Sequence, residues 1–228
     1  MRGKKYIKAV KNLDRNKSYS VEEAVAEVKR TSYSKFVGTL EVHFDIKLPK
    51  DTDPKSIKGA VALPNSSGNK SVKVAVFTTP DMEKEAKDAG ADLVGLDNLI
   101  KDVKAGKIEF DVAIATPSVM PKIAILGKEL GPKGLMPNPK NGTVTNDIAK
   151  AVSEYKKGKQ TFACDTSGVI HMNAGKLDME DSKLIENVHA SVSAIEEVLG
   201  KAYSQAIEKM HLASTMGPSF KIDYKKPE

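Results

Sequence analysis

The sequence predicts a two-domain protein of mixed α/β and α+β class. A two-layer α+β domain is built from both termini (residues 1–67 and 160–228), and a three-layer, Rossmann-like α/β domain (68–159) is inserted into it. Three observations carry this. Residues 39–47 alternate apolar and polar, the mark of a strand with one packed and one wet face. Residues 72–155 instead alternate short apolar runs with amphipathic segments, as strands and helices do around a parallel sheet. Turn-forming residues gather where one pattern gives way to the other, at Pro64-Asn-Ser-Ser-Gly68 and near Gly158.

The elements follow in order. Residues 1–17 carry seven basic side chains (Arg2, Lys4, Lys5, Lys8, Lys11, Arg15, Lys17) against Asp14 alone. Ser20-Val-Glu-Glu23 has the form of a capping box, and Val21, Ala24, Val25 and Val28 follow at helical spacing to about Arg30. In the next strand Leu40, Val42, Phe44 and Ile46 alternate with Thr39, Glu41, His43, Asp45 and Lys47. Ile57, Gly59, Val61 and Leu63 repeat the alternation more weakly.

In the middle third, Val72–Phe77 is an apolar strand. Pro80 opens a helix that Gly90 ends, Asp92–Gly95 is a short strand, and Asp97–Gly106 a helix. Phe110–Ala115 is a third buried strand. The run Gly127–Thr145 (G-K-E-L-G-P-K-G-L-M-P-N-P-K-N-G-T-V-T) is too rich in glycine and proline for a continuous helix or central strand. Its Leu130, Leu135 and Met136 make it an ordered loop rather than a linker, bearing Lys128, Lys133 and Lys140: either a rigid surface connection or a polyanion contact. Thr145 is placed to cap a helix bearing Ile148, Ala151, Val152 and Tyr155, ended by Gly158. Val169–Met172 is a short strand, and Leu184, Ile185, Val188, Val192, Ile195 and Leu199 line a long helix with His189 beside the stripe. Ser214–Asp223 closes the chain as an alternating strand with Phe220 and Ile222 inward.

Composition narrows the function. The net charge is +6, equal to the surplus of the first 17 residues, so the rest of the chain balances to zero. A concentrated basic arm suits a phosphate backbone, the alternative being a solvated helix face. The one cysteine, Cys164, excludes an internal disulfide and a cysteine-rich zinc site, and reads as a buried or neutral thiol. No apolar run approaches a membrane span, and the start lacks the apolar core of a secretory signal, so a cytoplasmic protein without membrane partners is expected.

Motifs that carry chemistry are scarce. Neither G-x-x-x-x-G-K-[ST] nor G-x-G-x-x-G occurs, and the turn after the first inserted strand, Thr78-Thr-Pro-Asp81, lacks the glycines for close approach to a pyrophosphate. The four histidines (43, 171, 189, 211) show no i, i+4 pair, and no G-x-S-x-G elbow is present. No cofactor is expected. An enzyme acting on a phosphorylated small molecule through the inserted domain remains the alternative reading.

The binding reading has more to stand on. Lys35 and Phe36 precede the wet-faced strand, on which Thr39, Glu41 and His43 follow. Lysine reaches phosphate, an aromatic ring stacks, and a hydroxyl meets a 2′-OH or phosphate. Core packing is the competing reading of Phe36. Ser214-Thr-Met-Gly217 offers two hydroxyls, a compliant apolar contact and a backbone that can come close; otherwise it is only a special turn. Together with Lys5 and His171 these are the candidate RNA contacts, and Pro64, Gly68 and Gly158 are the candidate hinges.

The string G-P-K-G-L-M-P-N-P-K-N-G-T-V-T closely resembles a signature of the bacterial L-one family, the protein of the mobile side stalk on the large ribosomal subunit. Lys35–His43, Ala115–Met120 and Ser214–Ser219 extend the resemblance over nearly the whole chain. It implies the same nested architecture, no enzymatic activity, and direct binding of large-subunit rRNA, with Lys35, Phe36, Thr39, Thr215, Met216 and Gly217 matching the family's RNA-contacting motifs. It also implies stalk movement with exit-site tRNA, repression of its own operon through an mRNA site that mimics the rRNA, and a monomer off the ribosome. One departure stands out: before Gly168 the family usually shows D-K-T-G, whereas this chain has Asp165-Thr-Ser-Gly168 and no lysine at 166.

Overall fold

In the computed structural model, residues 3–11, 13, 17–48, 53–65, 72–201 and 203–224 are described. Arg2, Arg15 and the candidate hinge Gly68 lie outside them. The elements in chain order are α1 (Lys4–Val10), β1 (Ser18–Tyr19), α2 (Val21–Thr31), β2 (Thr39–Ile46), β3 (Lys58–Ala62), β4 (Val74–Phe77), α3 (Glu83–Asp88), β5 (Leu93–Gly95), α4 (Asp97–Lys104) and β6 (Val112–Ala115). Then come α5 (Met120–Ile123), α6 (Gly127–Leu130), α7 (Ile148–Lys156), β7 (Lys159–Ala163), β8 (Val169–Lys176), α8 (Asp181–Leu199), α9 (Tyr203–Ala206), β9 (Ile207–Ser214) and β10 (Ser219–Ile222). Two compact units result, Met1–Gly68 with Thr161–Glu228, and Asn69–Gln160.

The first unit holds a five-stranded sheet in the order β1-β10-β9-β2-β8. Its strands pair antiparallel except β1 with β10. On β2 burial alternates without a break, so Leu40, Val42, Phe44 and Ile46 are sealed inside while Thr39, Glu41, His43 and Asp45 face out. The inward residues join the apolar stripes of α2 (Ala24, Val25, Val28) and α8 (Leu184, Val188, Val192, Ile195) in one core. Helix α2 begins as its capping motif predicts, with Ser20 Oγ accepting from Glu23 N at 3.2 Å. A two-stranded sheet, β3 with β7, lies beside α8, where a side chain at Gly59 would strike Phe162 and Val198.

In the second unit β5, β4 and β6 form a parallel sheet with β4 in the middle. Every residue of β4 is buried. Val74 and Val76 pack with Ala86, Ile148, Val152 and Tyr155; Ala75 and Phe77 pack with Leu99, Val103, Ile123 and Leu130. Both faces are therefore covered, as a parallel sheet requires.

The run 127–145 is ordered, as expected, though it starts with the helical turn α6. Leu130 is fully buried, Ala115 N donates to Thr143 O at 2.9 Å and Tyr155 hydroxyl to Asn141 O at 2.7 Å. Helix α7 is capped by Asp147, whose Oδ1 accepts from Lys150 N at 3.1 Å, rather than by Thr145. Thr145 Oγ1 instead accepts from Asp147 N one step upstream, at 3.1 Å. The largest revision concerns the C-terminal part. The single strand expected at 214–223 is the second half of a hairpin, whose first strand, β9, sits next to β2 in the middle of the sheet. The strand expected at 169–172 likewise continues to Lys176.

Candidate nucleic-acid interface

Two segments meet at the start of β2. Thr215 N donates to Thr39 O at 3.1 Å, and Thr39 N donates to Thr215 Oγ1 at 3.0 Å, so the β9–β10 turn is buttoned to the first residue of β2. Tyr33 hydroxyl donates to Met216 O, which ties the 33–38 loop to the same turn, and within the loop Ser34 Oγ donates to Phe36 O at 2.8 Å. Gly38 is buried there, with Leu177 Cδ1 within 3.1 Å of where its Cβ would sit. This scaffold leaves Phe36 59% and Met216 69% exposed. Phe36 is thus not a core residue. Lys35 and Val37 are exposed on either side of it.

Met216 is the one non-glycine residue in the left-handed region among the described residues, at φ 70°. Side chains there cost of order 1–2 kcal/mol, and such outliers cluster where a ligand is met. Gly217 N donates to Ser214 O at 2.8 Å; a Cβ on Gly217 would come within 2.0 Å of Ser214 Oγ. Ser214 itself corrects an expectation. It is only 3% exposed, and its hydroxyl, counted as an outward donor, has no hydrogen-bond partner among the described residues. Inward alternation at the end of β9 turns it away from the face.

The hydroxyls of Thr39 and Thr215 hold different parts in one network. Thr215 Oγ1 donates to Glu41 Oε1 at 3.1 Å, so its proton is spent inside the protein and Glu41 becomes the oriented acceptor. Thr39 Oγ1 accepts from Lys176 Nζ at 3.0 Å, which leaves its own proton free to donate outward. Lysine, carboxylate and two hydroxyls within a few ångströms suit a ribose hydroxyl beside a phosphate.

Further along β2, His43 is in register with His171 of β8 and His211 of β9. The Nδ1 atoms of His43 and His171 are 2.7 Å apart, so one ring donates to the other. Burial, then the neighbouring His171, holds the His43 imidazole below its ordinary value, with Glu41 opposing. Asp165, in the turn before β8, accepts from Ser167 N and Val169 N, bonds that hold its carboxyl below the usual range. Thr166, where the family usually has lysine, is exposed in that turn.

Lys5 lies exposed on α1, apart from these contacts; with Lys8 it borders a cleft that also includes Arg30 and Tyr33. Sequence reasoning missed Lys176, Tyr33 and His211, because their strands or loop contacts are set by pairing across the sheet rather than by local pattern. Cys164 is buried, and burial pushes its thiol up, as a structural cysteine requires.

Comparison with known proteins settles the relationship. The profile of the Ribosomal protein L1p/L10e family matches residues 28–218. The chain belongs to that family. It is 46% identical over 223 residues to the large ribosomal subunit protein uL1 of Lactobacillus delbrueckii subsp. bulgaricus, covering 97% of this chain and 96% of the relative. The uL1 proteins of Limosilactobacillus reuteri and Limosilactobacillus fermentum are each 43% identical over 227 residues, with the same coverage. The family likeness inferred from the signature loop therefore holds, and this is a structural protein of the large ribosomal subunit in the cytoplasm, not an enzyme. No helix among the described residues is long and apolar enough to cross a membrane.

Proposed function

We propose that the outward face of the five-stranded sheet binds large-subunit rRNA directly. The contacts are Lys35 and Phe36 on one segment, Thr39, Glu41, His43 and His171 on the sheet, and Thr215, Met216 and Gly217 on the turn, with Lys5 of α1 contributing charge at the margin. The observation that carries the reading is the pair Phe36 and Met216. Both are large, apolar and more than half exposed, on segments bonded to each other beside the Thr39–Thr215–Glu41 network. Apolar side chains held out at such cost suit stacking on bases or riboses, while the network suits 2′-OH and phosphate groups. Ser214 supports the turn from beneath.

Family membership and the matched motifs support three further parts of the proposal. The bound rRNA and protein form the mobile side stalk that serves release of exit-site tRNA. The protein represses its own operon by binding an mRNA site that mimics the rRNA. Off the ribosome it is a monomer. Residues 68–159 are read as a domain inserted into the RNA-binding one, hinged at Pro64 and Gly158.

Equilibrium binding of the full chain to large-subunit rRNA, with nuclease footprinting at two salt concentrations, tests the central claim. Log affinity is expected to fall against log salt by about 0.7–0.9 per phosphate neutralised. A salt-independent affinity, or no footprint, overturns it. Rejoining the chain without 68–159 is expected to leave rRNA binding largely intact; a folded deletion variant that no longer binds moves the site to the insert.

A further inference from the structure

The register of four adjacent strands aligns one row across the sheet: His171 on β8, His43 on β2, His211 on β9 and Lys221 on β10. At about 4.8 Å per strand the row spans about 14 Å. It runs over the face assigned above to RNA, and it opens on solvent at both ends. The His171 side chain is 57% exposed and that of His43 26%. His211 and Lys221 border a cleft of about 190 Å³ against α1, shared with Tyr6 and Lys17.

The groups facing the row can be named on every side. Glu41 and Asp45 share the outward face of β2, with Glu41 Oε2 at 3.9 Å from His43 Nε2. From the turn before β8, Asp165 Oδ2 lies 3.7 Å from His171 Nε2. From β9 and β10, Lys209 and Lys221 act on His211, with Asp45 opposing. Burial, then the neighbouring His171 for His43 and Lys221 and Lys209 for His211, holds both imidazoles below their ordinary value, which favours the neutral form. Imidazole is the side-chain type whose charge ordinarily changes near neutral pH, and this row places three of them between carboxylates and lysines.

We propose that this row is a proton-linked phosphate contact: RNA seated on the sheet draws protons onto the imidazoles, and affinity rises as pH falls. The inference rests on the reading of this face as the RNA surface. The Nδ1–Nδ1 bond sets how many protons are taken. One ring must accept, so the His43–His171 pair holds a single extra proton without losing the bond, and His211, outside that bond, offers a second place that the charge on His43 opposes. Lys221 supplies fixed positive charge at the end of the row, which places an anion there before any proton arrives. His211, invisible as a site residue in the sequence, becomes part of the contact surface.

The test uses the full chain and a large-subunit rRNA transcript at constant ionic strength. Affinity is expected to fall with rising pH around neutrality by up to about tenfold per pH unit for each proton taken up, one for the His43–His171 pair and a second if His211 also binds a proton. Titration calorimetry in two buffers of different ionisation enthalpy should register net proton uptake by the wild-type protein, a readout that needs no variant. The combined variant His43→Gln, His171→Gln, His211→Gln should bind with a flat pH profile and take up no proton. His189→Gln, changed on a helix that packs behind the sheet, should keep the wild-type slope. A wild-type affinity that is flat with pH while binding remains salt-dependent overturns the proton linkage and leaves the RNA surface standing. A slope that survives the triple change also overturns it. Absence of binding at every pH overturns the RNA reading and this inference with it.

Discussion

The two main sheets of this chain bury their residues by opposite rules. On β4 of the parallel sheet all four residues are sealed, because α3 and α7 cover one face and α4, α5 and α6 the other. On β2 of the larger sheet burial alternates strictly, because α2 and α8 cover one face only. A doubly covered sheet has no side left for a ligand except its strand ends and loops. A singly covered one offers a flat surface a strand-width per residue pair, on which side chains from distant parts of the sequence are brought into line. That difference explains why the candidate contacts of this protein gather on the terminal segments and not on the more enzyme-like middle third.

Substitution of two phenylalanines eight residues apart should give the widest contrast. Phe44 lies fully buried on the covered side of β2, and Phe44→Ala is expected to cost about 3–5 kcal/mol of stability. Phe36→Ala, on the open side, should change stability by less than about 0.5 kcal/mol. It should nevertheless weaken rRNA binding by about 1–3 kcal/mol, the range for loss of one stacked base. Thermal melts read the first effect and equilibrium binding the second. A Phe36→Ala protein that melts early and binds normally would make that ring a packing residue after all.

How much of this was legible follows the same division. Strand β2, its inward and outward residues and the cap of α2 could be read from local pattern, because alternation and capping are written over a few consecutive positions. Strand β9 could not. Its burial breaks period two at Glu208 and Lys209 and again at Leu212–Ser214, and a register shift opposite Asp45 and Ile46 skips Glu208. Losing β9 hid the row through His211 and gave Ser214 the wrong side. Phe36 could be named from the sequence as a contact but not separated from a core residue, since residue type favours the core and its exposure is set by bonds such as those of Tyr33 and Thr39 to the β9–β10 turn.

A smaller and mixed effect is expected at Thr215. Thr215→Val removes the acceptor of Thr39 N and the donor to Glu41, so it should cost about 1–3 kcal/mol of stability as well as about tenfold in rRNA affinity. Loss of affinity without any shift in melting would mean that the hydroxyl meets RNA directly instead of aiming Glu41.

The open face also sets a pH dependence of stability. The folded values of His43 and His211 lie below their ordinary value of about 6.5, so the unfolded chain takes up their protons first. Their contribution is complete above that pH and is lost as pH falls through the ordinary and then the lowered values. The free protein should therefore melt earlier at about pH 5.5 than at about pH 7.5. His43→Gln with His211→Gln should flatten that trend, and bound rRNA should reverse it.

The smallest expected change is the one that separates surface from scaffold most cleanly. Met216 holds φ 70° with a full side chain, at the tip of a turn fixed by Tyr33, Thr39 and Ser214. Glycine adopts that angle without strain, so Met216→Gly removes a local cost of about 1 kcal/mol while adding back some freedom to the unfolded chain. The net effect on melting should be nil or slightly stabilising. Binding should weaken, since the exposed thioether is removed from the face that meets RNA. The two measurements thus move in opposite directions only if the strained methionine is kept for contact. A variant that melts earlier and binds rRNA as before would show that the side chain holds the turn, and the paired exposure of Phe36 and Met216 would lose its meaning.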